Sequence, residues 1–105
     1  YPEQLQQRIN KQPLSPLYLA DKTTLINIME MVSGLFLSKN IVYQNGKPAY
    51  LVDLAKAFEW LFNIKIGDCY QKHEDVIKRK PGKLTGFLNG LVELIKKEHD
   101  KKGYR

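Results

Sequence analysis

The alternation of apolar and polar positions predicts a mostly helical chain. In three segments apolar residues recur every three or four positions, the spacing that places them on one face of a helix. These segments cover residues 22–38, with Asp21 as N-cap, residues 51–62, and residues 83–100. We interpret the three apolar faces as core surfaces. They consist of Leu25, Ile28, Met29, Val32, Leu35 and Phe36; of Leu51, Leu54, Ala55, Phe58, Leu61 and Phe62; and of Leu84, Phe87, Leu88, Leu91, Leu94 and Ile95.

A shorter helix is predicted between the second and the last of these segments. Gly67 interrupts the preceding helix, and Asp68 followed three residues later by Gln71 is typical of a capped helix start. The helix should run to about Arg79 and end before Pro81-Gly82. Its inward side chains are expected to be Tyr70, His73 and Ile77.

Residues 41–50 contain the turn signal Asn45-Gly46, which suits the positive φ angles of a tight turn. Pro48 has no backbone N–H to donate, so a short β-hairpin at an edge is the most that this segment can form. In the last helix, Gly86 and Gly90 are four residues apart, which predicts a close approach by another backbone, most simply a second helix.

The domain organisation is predicted from the same pattern. Residues 1–20, which contain Pro13 and Pro16, are expected to be an N-terminal extension, the remnant of a longer protein, because the chain opens at Tyr1 rather than at Met. Residues 21–105 form one helical domain. The apolar stretch 25–37 is too short and too interrupted by polar residues to span a membrane, so we expect a cytoplasmic protein.

Candidate catalytic and metal-binding groups are few. Cys69 is the only cysteine among 105 residues, so the chain has no intrachain disulfide. Cys69 and His73 share one helical face, but two further zinc ligands are lacking, as are an orienting group and an oxyanion hole for Cys–His catalysis. We therefore expect no enzyme activity, no metal and no cofactor, and a packed thiol beside a half-buried imidazole.

The net charge of +6 favours a polyanionic partner, although a lysine-rich solvated surface explains it equally well. The charge is densest in residues 78–83, where four cations occur without an acid. This segment follows the third helix, which itself follows the second after a glycine-containing turn, as in a helix-turn-helix. The candidate DNA-binding residues are Gln71, Lys72 and Asp75, toward the bases, and Lys78, Arg79, Lys80 and Lys83, toward phosphates.

Two stretches carry a family resemblance: Phe58 to Tyr70, and Ile77 to Lys80 followed by Thr85 to Leu91. Both are similar to the RteC family, regulators on conjugative transposons that activate genes for element excision. The resemblance implies a DNA-binding transcriptional regulatory domain of the winged-helix kind. The third helix is not followed by two strands for a wing, so the hairpin at 41–50 would have to serve, or the domain is a wingless variant.

Two classes of function therefore stay open. The first is a regulatory domain that binds double-stranded DNA, with a homodimer as one expected assembly. The second is a helical protein–protein interaction module that docks through the aromatic-rich face of the second helix or the glycine stripe of the last. Binding to phosphates weakens steeply with salt, whereas binding through an apolar surface does not.

Overall fold

The computed structural model describes residues 14–104 and is mostly helical, as predicted. Five helices follow one another within residues 14–104. They are α1 (Leu25–Ser38), α2 (Leu51–Phe62), α3 (Cys69–Ile77), α4 (Pro81–Leu84) and α5 (Gly86–Lys101).

Helix α1 is the centre of the fold, since it packs against α2, α3 and α5. Met29 and Val32 on α1 are completely buried, and the predicted apolar faces of α1 and α2 supply four of the other eight buried apolar residues. Because three helices cover α1, its buried surface is wider than one apolar stripe. It also includes two polar residues, Glu30 and Ser33.

The N-caps of α1 and α3 were predicted with different success. Asp68 is the N-cap of α3, as predicted, and its Oδ1 accepts hydrogen bonds from the N–H groups of Tyr70 (3.1 Å) and Gln71 (3.2 Å). The predicted cap of α1 at Asp21 is wrong, because α1 begins three residues later than expected, with Thr24 as N-cap. Residues 21–22 form a turn instead.

The hairpin of residues 41–49 is small, as expected because Pro48 has no backbone N–H to donate. A single antiparallel bridge joins Val42 to Pro48, and the N–H of Tyr43 donates to the carbonyl of Lys47 at 2.8 Å. Gly46 adopts a φ of 87°, which closes the turn. No strand longer than this bridge occurs in residues 14–104, so the strand pair of a wing is not found there.

The last predicted helix is in fact two helices. Pro81 occupies the first position of α4, where its missing N–H costs nothing, and Thr85 separates α4 from α5. The first turns of α5 lie against α1, where the Cδ1 of Leu88 is 3.8 Å from the position that a Cβ at Gly34 would take.

The far half of α5 extends beyond the helices that it was expected to cover. None of the α5 residues is buried, and Leu94 and Ile95 are 64% and 72% exposed, so their assignment to the core is wrong. The close approach predicted at Gly86 and Gly90 is also absent, because no described atom lies within 4 Å of a Cβ built at either residue.

The segment before α1 is attached to the end of α2. The side-chain amide of Asn63 donates to the carbonyls of Ser15 (2.7 Å) and Leu17 (2.9 Å), and Ser15 is buried. Residues 1–13 lie outside the described residues, and the boundary at residue 20 stays a prediction. Within residues 14–104, none of the helices has the length and apolar character needed to cross a membrane.

Candidate nucleic-acid interface

Helix α3 is rotated relative to its predicted orientation. Cys69 and Val76 are buried and His73 is half-buried, whereas Tyr70 and Ile77 are 60% and 44% exposed. The prediction that Tyr70 and Ile77 face inward is therefore wrong. Both α1 and α2 contact α3, so the small thiol and valine lie at the closest approach and the larger tyrosine stays in water.

His73 is held by two residues of α1. Its Nδ1 lies 2.8 Å from the Oγ of Ser33, and its ring meets the ring of Phe36 edge-on with centroids 5.7 Å apart. Cys69 is a buried free thiol one turn away. The pair predicted as a packed thiol beside a half-buried imidazole thus has that arrangement, and its partners come from α1.

Gln71 and Asp75 on α3 and Lys78 just after its end form a row of linked polar side chains. The Nε2 of Gln71 donates to Oδ1 of Asp75 at 3.0 Å, and the Nζ of Lys78 lies 3.5 Å from the same oxygen. Gln71 is exposed, and the side chain of Lys78 is 68% exposed. Asp75 therefore orients the Gln71 amide and offsets part of the charge of Lys78. Lys72, the third candidate on α3, is half-buried.

Arg79 faces the protein interior. Its Nη1 lies 3.1 Å from Oε1 of Glu30, and only 23% of its side chain is exposed. The other carboxylate oxygen of Glu30 accepts a hydrogen bond from the N–H of Leu88 at 2.7 Å, so Glu30 also caps the first turn of α5. The expectation that Arg79 points outward does not agree with this geometry, and the expected contact with phosphate stays a prediction.

Lys80 and Lys83 are exposed at the single turn of α4. The carbonyl of Lys80 accepts hydrogen bonds from the N–H groups of Lys83 (2.8 Å) and Leu84 (3.0 Å), which close the single turn of α4. In the part of the chain that the structure describes, no carboxylate lies within 4.0 Å of either ammonium group. Residues 78–83, named here the basic segment, thus carry three outward lysines: Lys78, Lys80 and Lys83.

Three residues that matter for this surface were not among the candidates. Tyr70 and Glu74 are exposed on the same side of α3 as Gln71, and a carboxylate at Glu74 disfavours phosphate nearby. Glu30 is the third, and the sequence did contain a signal for it. It is the only charged residue in the fourteen residues of α1, and a lone charge within an apolar helix needs a buried partner.

Comparison with known proteins links the chain to one family. The sequence profile described as RteC protein matches residues 3–102. A segment of Exportin-T from Chaetomium globosum is 33% identical over 93 residues, which is 83% of this chain and 9% of that protein. The chain thus spans under a tenth of this curated relative. No solved structure matches the chain.

Proposed function

The chain belongs to the RteC family, and from this membership we propose that it is a DNA-binding transcriptional regulatory domain of a mobile genetic element. The genes for excision of the element are its proposed targets, and the cytoplasm is its proposed location. The observation that carries the proposal is the basic segment, in which Lys80 and Lys83 are exposed and free of described acidic neighbours. Such lysines bind DNA by releasing the counterions condensed on its phosphates.

Helices α2 and α3 support a helix-turn-helix mode of binding. Both pack on α1, and residues 63–68 connect them, with left-handed backbone at Asn63 and Gly67. This connection is longer than the usual turn of three or four residues, so the proposed motif is a variant one. In this mode α3 enters the major groove, and the basic segment that follows α3 contacts the backbone of the duplex.

Gln71 is the proposed base-reading residue. A carboxylate only accepts hydrogen bonds, so the Gln71 amide group must direct one N–H toward Asp75. Its second N–H and its carbonyl oxygen remain available to pair with N7 and the amino group of adenine. Because Asp75 already orients the amide, less rotational freedom is lost when a base is bound.

A second candidate function is a helical protein-interaction module. Trp60 favours it, since this large aromatic side chain on α2 is 54% exposed while Phe58 and Phe62 pack against the core. Exposed tryptophan is enriched in protein interfaces. Binding through Trp60 would be nearly independent of salt, which separates it from phosphate binding.

The test is a titration of fluorescent promoter-region duplexes from a mobile element, at several salt concentrations. The double variant Lys80→Ala/Lys83→Ala should bind all duplexes more weakly, with a salt slope lower by about 0.9 per lost phosphate contact. The matched control is Lys22→Ala/Lys56→Ala, which removes the same charge from exposed positions outside the basic segment. If the two double variants behave alike, or binding ignores salt, the DNA-binding proposal is wrong.

A further inference from the structure

The far half of α5 carries apolar side chains that no described residue covers. Val92, Leu94 and Ile95 are 44%, 64% and 72% exposed. Ile95 lies between the other two around the helix, and the three form a broad apolar band that we call the α5 strip. They lie one to two turns beyond Leu88, which packs on α1 beside Gly34. The apolar face of the helix is therefore continuous, and only its first part is covered by the domain itself. Contiguous exposed apolar surface of this kind marks an interface.

The charges on α5 indicate what kind of partner fits. The helix holds three lysines and three acidic residues, so its formal charge is zero, while the whole chain carries +6. These six residues are Glu93, Lys96, Lys97, Glu98, Asp100 and Lys101. A polyanion gains nothing from a neutral helix. A second copy of this chain, which also carries +6, is repelled least where the local charge is zero, so it can approach along α5.

We propose that the α5 strip binds the α5 strip of a second copy of this chain, with the two helices antiparallel. In a two-fold symmetric dimer both copies use the same surface, so Leu94 and Ile95 of each copy pack against Leu94 and Ile95 of the other. The antiparallel arrangement follows from the shape of the domain. Helix α1 packs on the first turns of α5, where Leu88 lies beside Gly34, so two parallel copies would bring both domains to one end, where they collide.

The dimer should be weak and concentration-dependent. Three side chains from each copy bury less than the roughly 800 Å² per partner of a standard stable interface. Self-association is independent of DNA binding and is measured without DNA, so failure of one proposal does not affect the other. If both proposals hold, the dimer places two basic segments on one duplex. Once the first segment is bound, binding of the second becomes an intramolecular step.

The first experiment is sedimentation equilibrium of the 105-residue chain, from micromolar to millimolar concentration and without DNA. The average mass should rise toward twice the monomer mass. Ile95→Lys should weaken the dimer by about tenfold or more, because a large aliphatic side chain loses its burial and a charge takes its place. Val42→Lys is the matched control, since it changes a half-exposed aliphatic residue of the hairpin. A circular dichroism spectrum shows that each variant is folded.

The second experiment tests the charge argument. Glu93→Lys/Glu98→Lys makes α5 strongly positive and leaves the α5 strip intact. This variant should dimerise poorly at low salt and recover at high salt, because screening removes the repulsion. Ile95→Lys should not recover to the same extent. The proposal would be overturned by a wild-type chain that stays monomeric at all concentrations, or by an Ile95→Lys variant that dimerises as well as the wild type.

Discussion

The guanidinium of Arg79 and the carboxylate of Glu30 form an ion pair that is shielded from water, with 23% of the arginine side chain and 2% of the glutamate side chain exposed. The pair joins the end of α3 to the middle of α1. Through its second oxygen, Glu30 also holds the N–H of Leu88 at the start of α5. Arg79 within the basic segment and the start of α5 after it are therefore both attached to one buried carboxylate.

Arg79→Ala should lower the free energy of unfolding by about 3 kcal/mol, because the substitution leaves a buried carboxylate without its cation. The neighbouring Lys78→Ala should change stability by less than about 1 kcal/mol, since its pair with Asp75 is exposed. Urea denaturation of both variants measures the difference. Equal and small changes would mean that water reaches Glu30. Loss of DNA binding in Arg79→Ala is evidence of a phosphate contact only if the variant is still folded.

Two residues from the predicted apolar faces should differ in their contribution to stability. Met29→Ala should destabilise the protein by roughly 2–5 kcal/mol, because Met29 is completely buried and its loss leaves a cavity. Leu94→Ala should cost the isolated monomer less than about 0.5 kcal/mol, since Leu94 is 64% exposed. Denaturation at a protein concentration too low for self-association gives both values. Similar costs for the two variants would contradict the described position of α5.

Tyr43 should make the free energy of unfolding depend on pH in the alkaline range. Its hydroxyl donates to Asp53 and accepts a hydrogen bond from the N–H of Tyr50 at 3.0 Å. The hydrogen bond to Asp53 raises the pKa of Tyr43 above its ordinary value of 10.0. The folded protein thus holds this proton more tightly than the unfolded chain does. The resulting stability is present below pH 10 and is lost as the pH rises through the raised pKa.

The measurement for Tyr43 is an ultraviolet titration of tyrosinate absorbance in the folded protein. Wild type should show a tyrosine step that titrates late, and this late step should be missing from Tyr43→Phe. Tyr70→Phe is the control, because the ring of Tyr70 is exposed and its substitution leaves the hydrogen bonds of Tyr43 untouched. If Tyr43→Phe retains the late step, the hydrogen bond to Asp53 is not its cause.

Gln71→Ala should change which duplexes the protein prefers, by roughly 1–3 kcal/mol at one base pair, because a bidentate contact to adenine is lost. The salt slope should be unchanged, since no charge is removed. Glu74→Gln is the control for a polar change on the same exposed face; it removes a negative charge and should strengthen binding to all duplexes alike. A competition assay with duplexes that differ at single base pairs separates the two effects. Uniform weakening by Gln71→Ala would contradict a base-reading role.

The periodicity of apolar residues was sufficient to predict a mostly helical chain. Short sequence signals were sufficient for features that depend only on residues close in sequence, such as caps and turns. Asp68 caps α3 because its side chain needs to reach only the N–H groups two and three residues ahead. The turn at Gly46 and the limit set by Pro48 likewise depend on backbone conformation within a few residues. The basic segment can be read from local composition. The resemblance to the RteC family rests on the residues of two stretches, and the profile match over residues 3–102 confirms it.

The tertiary structure decided which part of each apolar face is covered and which way α3 is rotated. Periodicity identifies an apolar face, but the covered length of that face depends on where the neighbouring helices end, so Leu88 packs on α1 while Ile95 is exposed. On α3 the apolar residues fall on one broad face, and packing against α1 and α2 buries Cys69 and Val76 on that face while Tyr70 at its edge stays exposed. Glu30 and Arg79 are 49 residues apart in sequence. Only the packing of α1 against the end of α3 brings their charges within 3.1 Å, and it thereby turns Arg79 away from the exposed lysines of the basic segment.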